Sequence, residues 1–167
     1  MRSWLSECRT DSRRGKAALI MALLGLALAM PAFAQNVVAY EIVDGKEIPD
    51  SLTGQPGNAE AGRKLYFDRQ LTRCSGCHGS PDGPGAKPDP DAGGAPSLSG
   101  VAERLSEGAI RMWLVAPQVI RPGTRMPGYY SVGQRDDPAD PRYGETLLTA
   151  AEIEDLVAYL MRQTGRR

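Results

Sequence analysis

The sequence predicts an all-α domain, with a few helices and long loops folded around a nucleus larger than its own apolar side chains provide. Three observations carry this expectation. Three segments place apolar residues at helical spacing behind a good capping residue. No long alternating run of the kind that builds a sheet is present. The intervening segments are rich in Gly, Pro and Asp and lack apolar periodicity. The chain has 19 Gly and 13 Pro in 167 residues, so few elements must build the core.

The first 34 residues read as a separate unit. Arg2, Arg9, Arg13, Arg14 and Lys16 precede an uncharged apolar run at 17–30, and Pro31-Ala32-Phe33-Ala34 ends in a small-x-small pattern. This is a secretory signal peptide cleaved before Gln35. The apolar run falls short of the roughly 20 residues that span a bilayer, so it is not read as a retained anchor, and no membrane span is expected in the mature protein. Arg13-Arg14 faintly resembles a twin-arginine signal, but its flanks match poorly. The expected organisation is a signal at 1–34, an N-terminal extension at 35–57 and one main domain at 58–167. The expected compartment is the periplasm. The precursor has 20 basic and 20 acidic residues; removing the signal's five basic and two acidic residues leaves 15 against 18, a net charge of −3. That balance excludes a nucleic-acid binder.

Within the mature chain, residues 37–43 either pair as short strands or lie on the surface. The first helix is expected over 59–68, behind Asn58 as N-cap, with Ala61, Gly62, Leu65 and Tyr66 on its apolar face. The second runs from the N-cap Ser106 to Pro117, which stops it, with Ile110, Trp113 and Leu114 at helical spacing. The third opens on a capping box, Thr149-x-x-Glu152, and carries a stripe of Ile153, Leu156, Val157, Leu160 and Met161. Loops are expected at 79–95, 121–128 and 134–142.

Between the first helix and the first long loop stands Cys74-Ser75-Gly76-Cys77-His78. C-x-x-C-H is the attachment sequence for c-type haem. Two thiols three positions apart each add to one haem vinyl group, and the next residue offers an imidazole to the iron. His78 is the sole histidine, and the third cysteine, Cys8, leaves with the signal. A structural zinc site wants four Cys or His ligands, and here only three are available. A C-x-x-C redox pair belongs beside a β-α-β pattern, which is absent. One covalently bound haem c is therefore the expected cofactor, and it supplies the missing nucleus.

An imidazole ligand needs its other ring nitrogen held by an acceptor. The carbonyl of Pro96 is the candidate, since proline has no N–H to compete locally. No second histidine exists, so the sixth ligand comes from elsewhere. Met161 continues a core stripe and Met112 lies within the second helix. Met126 sits in a stiff loop, Pro122-Gly123-Thr124-Arg125-Met126-Pro127-Gly128, and is the preferred ligand; a lysine or an open position is the alternative. Sulfur opposite His raises the reduction potential and favours electron transfer.

With Gly62 and Tyr66 on the first helix and Leu156 and Tyr159 on the third, the chain resembles a class I cytochrome c. A narrower resemblance is carried by Ser51-Leu52-Thr53-Gly54-Gln55-Pro56-Gly57-Asn58, by Arg69, by Pro96-x-Leu98-Ser99-Gly100-Val101, by Met126-Pro127-Gly128-Tyr129-Tyr130 and by the segment from Leu148 to Leu160. In order and spacing these are similar to the SoxX family, the small monohaem subunits of the SoxAX cytochromes of bacterial thiosulfate oxidation. The resemblance implies a SoxA-like haem partner in a heterodimer, a SoxYZ-like carrier and a soluble acceptor cytochrome. The pair acts as an L-cysteine S-thiosulfotransferase, coupling thiosulfate oxidatively to a carrier cysteine, and the SoxX haem takes the electrons. By matching position, Cys74 and Cys77 hold the haem, and His78 and Met126 ligate its iron. The chain departs from the family at Thr72-Arg73, where a Gly-Asn pair is expected, and in its long 79–95 loop.

Two other functions compete: a free-standing cytochrome that shuttles electrons between respiratory complexes, and a haem-based gas sensor with a displaceable Met126. The extension favours a subunit, because a shuttle gains little from it. Once haem is attached the chain keeps no free thiol and no free histidine, so no catalytic residue is expected here and sulfur transfer must lie on another chain. The exported protein should begin at Gln35; intact mass or N-terminal analysis of periplasmic material checks this, and residues 17–30 retained in a membrane fraction would contradict it.

Overall fold

The computed structural model describes residues 37–82, 95–132, 139 and 144–165. The signal at 1–34 lies outside the described residues, as do 83–94 of the first long loop and all of the 134–142 loop except Ala139. Among the described residues there are five α-helices, one 3-10 turn at Val101–Glu103 and no strand. The described part of the extension, 37–57, forms no strand pair. A tight turn closed by Asp44 and Gly45, both at positive φ, leaves one isolated antiparallel bridge between Val43 and Glu47.

Helix α1 spans Ala59–Phe67, and the Asn58 side chain accepts from the amides of Glu60 and Ala61. It ends one residue before the expected point. Asp68 Oδ1 accepts from the amides of Gln70 and Leu71 at 2.9 and 2.8 Å, a local turn that competes with the helix for its backbone. A one-turn helix α2, Cys74–His78, carries the C-x-x-C-H motif. Helix α3 spans Glu107–Val115 behind Ser106, whose hydroxyl accepts from the Ala109 amide.

Pro117 was expected only to stop that helix. It also opens another, α4, Pro117–Ile120. Proline disfavours helical geometry in the residue before it, and Ala116 is accordingly at φ −139°, ψ 58°. Proline at a first helical position loses no hydrogen bond. Helix α5, Ala150–Leu160, has both halves of the capping box: Glu152 N donates to Thr149 Oγ1, and Thr149 N donates to Glu152 Oε2. Among the described residues no helix is long and apolar enough to cross a membrane.

The core forms where α1 and α5 cross, with α3 against α5. Ile153, Leu156, Val157 and Leu160 are buried there with Tyr66, Ile110 and Leu114. On α3 the expected stripe is only partly right: Trp113 is half-buried, while Met112, Val115 and Arg111 are buried. Met161 is half-buried at the C-cap of α5. The crossing is close because Gly57 and Gly62 have no side chain. A Cβ on Gly62 would overlap the Asp155 carbonyl, and one on Gly57 the Glu154 carbonyl. The approach brings Tyr66 against Tyr159, with ring centroids 5.4 Å apart and ring planes tilted at 53°.

Charged side chains complete the frame. Arg111 and Glu154 form a two-point ion pair, Nε to Oε1 at 2.8 Å and Nη2 to Oε2 at 2.9 Å. Both side chains are 2% exposed. Arg111 Nη1 donates to the carbonyls of Ile48 and Pro49, and Leu52 N donates to Glu154 Oε1. The extension is thereby fastened to α3 and α5. On the other side, Arg63 of α1 donates to Asp82 Oδ2 at 2.7 Å, and Ser80 donates to Asp82 Oδ1. Burial alone would raise the Asp82 carboxyl, but hydrogen bonding and charge, led by Arg63, hold it below its ordinary value.

Gly62→Ala should destabilise the protein by about 2–3 kcal/mol, because the added methyl meets backbone that cannot turn aside; thermal unfolding measures this. Asp82→Asn should also lose stability, in a pH-dependent way. A depressed folded value stabilises above the unfolded 3.8 and loses that contribution as pH falls through the lower folded one. Urea unfolding at pH 7 and at about pH 3 should therefore show the difference between wild type and variant narrowing in acid.

Candidate haem site

On the single turn of α2, Cys74 and Cys77 are three apart, and Cys74 and His78 four apart, so all three share one side of a short helix. Cys74 is buried, Cys77 exposed and His78 half-buried. Neither cysteine is in a disulfide. Burial pushes the Cys74 thiol above its usual range, which keeps it protonated and disfavours it as a thiolate ligand.

The entry to this turn is unusual. Arg73 lies in the left-handed region at φ 57°, ψ 18°. A non-glycine residue there costs about 1–2 kcal/mol, and a Gly or Asn at this point would be at less cost. The departure at Thr72-Arg73 therefore falls where the backbone is least tolerant of it. Four hydrogen bonds enforce the geometry: the amides of Thr72 and Arg73 both donate to Asp68 O, at 3.2 and 2.8 Å, and the buried Thr72 hydroxyl donates to the carbonyls of Leu65 and Asp68. At the exit, Gly79 takes φ 74°, ψ −159°, a conformation essentially reserved to glycine. Its carbonyl accepts from the buried hydroxyl of Tyr66 at 2.9 Å.

His78 Nδ1 lies 2.8 Å from Pro96 O. A carbonyl can only accept, so Nδ1 carries the proton and Nε2 of the neutral ring is left with its lone pair. Arg104 holds the segment that offers this carbonyl, donating from Nη1 to Ser99 O at 2.7 Å and from Nη2 to Ser97 O at 3.0 Å. Sequence reasoning missed Arg104, whose role depends on a turn not legible locally.

Of the methionines, Met112 is fully buried within α3. Met126 is half-buried in its loop, packed against the edge of the core. Its carbonyl accepts from Gln118 Nε2 at 3.1 Å and its amide donates to Thr124 Oγ1 at 3.2 Å, so α4 and the loop's own threonine fix its backbone. Three residues on, the buried Tyr129 donates to Thr72 O at 2.7 Å, and its oxygen is 3.9 Å from Cys74 Sγ. The structure thus joins the Met126 loop to the start of the C-x-x-C-H turn. Nothing in the local sequence marks this contact beyond the Tyr129-Tyr130 pair.

These residues fit a covalently attached haem. Two thiols that form no disulfide stand on one helical turn, beside an imidazole whose Nδ1 is held by Pro96 O. Zinc fits less well: among the described residues no three His, Cys, Asp or Glu side chains converge to hold a metal ion. Two surface hollows of about 290 Å³ lie elsewhere, one against Tyr40 and Leu52, the other against Val37 and Tyr130, and no residue of the motif lines them.

Comparison with known proteins agrees with this geometry. A family model described as cytochrome c matches residues 59–164. No curated protein sequence matches the chain. Among solved structures, the crystal structure of SoxXA from P. pantotrophus is similar at a TM-score of 0.64 and 29% identity, covering 75% of this chain and 94% of that one. The family carries covalently bound haem c and transfers electrons. From the match over residues 59–164, which takes in every helix from α1 to α5, the chain belongs to the cytochrome c family, as a SoxX-like c-type cytochrome.

Proposed function

We propose that this chain is the electron-accepting monohaem subunit of a heterodimeric periplasmic enzyme that oxidatively couples thiosulfate to a cysteine on a carrier protein. The observation that carries the reading is the likeness to SoxXA over 94% of that chain, together with a C-x-x-C-H turn built to hold one haem. A SoxA-like subunit is its partner, a SoxYZ-like protein the carrier and a soluble cytochrome the acceptor. The signal at 1–34 directs the chain to the periplasm.

In this reading Cys74 and Cys77 would hold the haem through thioethers, and His78 Nε2 and Met126 would ligate its iron. When bound, haem provides a one-electron carrier. The protein's own residues orient and shield it. Pro96 fixes the His78 tautomer and ring plane, and Arg104 fixes Pro96. Tyr66 and Gly79 set the backbone leaving the ligand. A hydrogen bond to the ligand's second nitrogen also raises its basicity. With both thiols alkylated and the only histidine on iron, the mature chain would keep no free thiol or imidazole for sulfur transfer. That step belongs to the partner.

Met126→Ala should abolish the weak sulfur-to-iron charge-transfer band of the oxidised protein and lower its potential, while Met112→Ala and Met161→Ala keep the band. Loss of the band in Met112→Ala instead would refute the ligand assignment. The protein alone should show no sulfur transfer from thiosulfate to a carrier. With a SoxA-like partner it should form a stable heterodimer and support thiosulfate-dependent reduction of an acceptor cytochrome. A monomer with no affinity for such a partner, but fast electron exchange with a terminal oxidase, would favour the shuttle.

A further inference from the structure

The geometry points to Tyr129 as a positioning residue for the haem iron, a strut that sets the distance between the loop bearing Met126 and the turn bearing Cys74, Cys77 and His78. The inference rests on the ligand set proposed above and extends it to a residue that touches neither iron nor haem sulfur as a ligand. Tyr129 is 4% exposed and held at three points. Its amide donates to Leu114 O of α3 at 2.9 Å, its carbonyl accepts from Leu148 N at 2.9 Å, and its hydroxyl donates to Thr72 O at 2.7 Å.

The backbone beside it is equally constrained. A Cβ on Gly128 would lie 2.8 Å from Val115 O, so the loop is pressed against the end of α3. The Ser131 hydroxyl donates to Gly128 O at 2.8 Å. Thr72, at the strut's far end, is 4% exposed and tied to α1. The contact spans 57 residues of sequence and runs from rigid backbone to rigid backbone. Burial raises the Tyr129 phenol far above its ordinary range, so it stays a donor at any working pH.

A loop thioether is a weak iron ligand, and it stays bound only if its loop is held at the right distance. The Tyr129 hydroxyl is the direct tie across that distance. Removing it while keeping the ring leaves the packing intact and lets the Met126 loop move away from α2. The effect should appear as easier replacement of Met126 by an added ligand, beyond any general loss of stability.

The test uses oxidised holoprotein titrated with imidazole. Wild type, Tyr129→Phe, Met126→Ala and Asn58→Ala are compared, the last removing the cap at the far, N-terminal end of α1. Tyr129→Phe should bind imidazole about tenfold more tightly than wild type, the scale of one buried hydrogen bond. Asn58→Ala should be destabilised with its imidazole affinity unchanged. Unchanged affinity in Tyr129→Phe, with the charge-transfer band present in wild type and absent in Met126→Ala, overturns the strut and leaves the ligand assignment standing. An equal gain in Asn58→Ala also overturns it, by showing general loosening. A band that survives in Met126→Ala refutes the ligand assignment, and the strut with it. A second measurement needs wild type alone: with imidazole bound, the Tyr129 amide should remain protected from hydrogen exchange, and loss of that protection would overturn the strut.

Discussion

The close crossing of α1 and α5 is the constraint on which the rest depends. Gly57 and Gly62 let one backbone sit against the carbonyls of Glu154 and Asp155. That contact sets where Tyr66 meets Tyr159 and where the end of α1 delivers the chain to Asp68. The turn from Asp68 to Cys74 is then dictated by hydrogen bonds back to α1, two to Asp68 O from the amides of Thr72 and Arg73 and one from the Thr72 hydroxyl to Leu65 O. The C-x-x-C-H turn therefore inherits its place from the helix pair, and its buried Cys74 joins the core that the pair forms. The strained Arg73 is tolerated because these neighbours over-determine its backbone.

The buried Arg111–Glu154 pair plays a different part. Taking two charges out of water costs several kcal/mol each, and burial of this kind persists only when the remaining donors and acceptors are satisfied. Here they are: the guanidinium uses Nε, Nη1 and Nη2, and the carboxylate also receives Leu52 N. The partners that satisfy it come from the extension. The pair thus acts as a registry device, fixing residues 48–52 against α3 and α5 by matching irregular backbone to charge. A hydrophobic pair would pack as well but would leave the Ile48 and Pro49 carbonyls without donors.

The helices were legible where local chemistry decides them. Asn58, Ser106 and Thr149 each cap a helix because a side-chain oxygen satisfies orphan amides whatever the tertiary setting, and the Ile153–Leu156–Val157–Leu160 stripe is buried because its spacing allows nothing else. Helix ends were less legible. Asp68 turns the chain early through its own carboxylate, and Pro117 starts a helix as well as ending one. Arg111 and Glu154 were invisible, since a charged residue reads as surface until its partner, 43 positions away, is known. At the site the motif announced its residue types through covalent chemistry. What the sequence could not show is how irregular backbone is held: Arg104 behind Pro96, Tyr66 on Gly79 and Tyr129 on Thr72 are all long-range or turn-dependent contacts.

Those tyrosines follow from the fold's own difficulty. A domain with so much loop buries carbonyls that no helix or sheet satisfies, and each needs a donor. An apolar core supplies area but no donors. A buried tyrosine supplies both, a large apolar ring and one directed hydroxyl at its tip. Tyr66 packs its ring in the helix crossing and spends its hydroxyl on Gly79, the residue after His78. Tyr129 packs between α3 and the turn and spends its hydroxyl on Thr72, two residues before Cys74. One tyrosine thus holds the exit of the C-x-x-C-H turn and the other its entrance. A phenylalanine at either place would fill the same volume, yet it would leave a buried carbonyl unmet and one end of the turn untethered, at about 1–3 kcal/mol for each unsatisfied group.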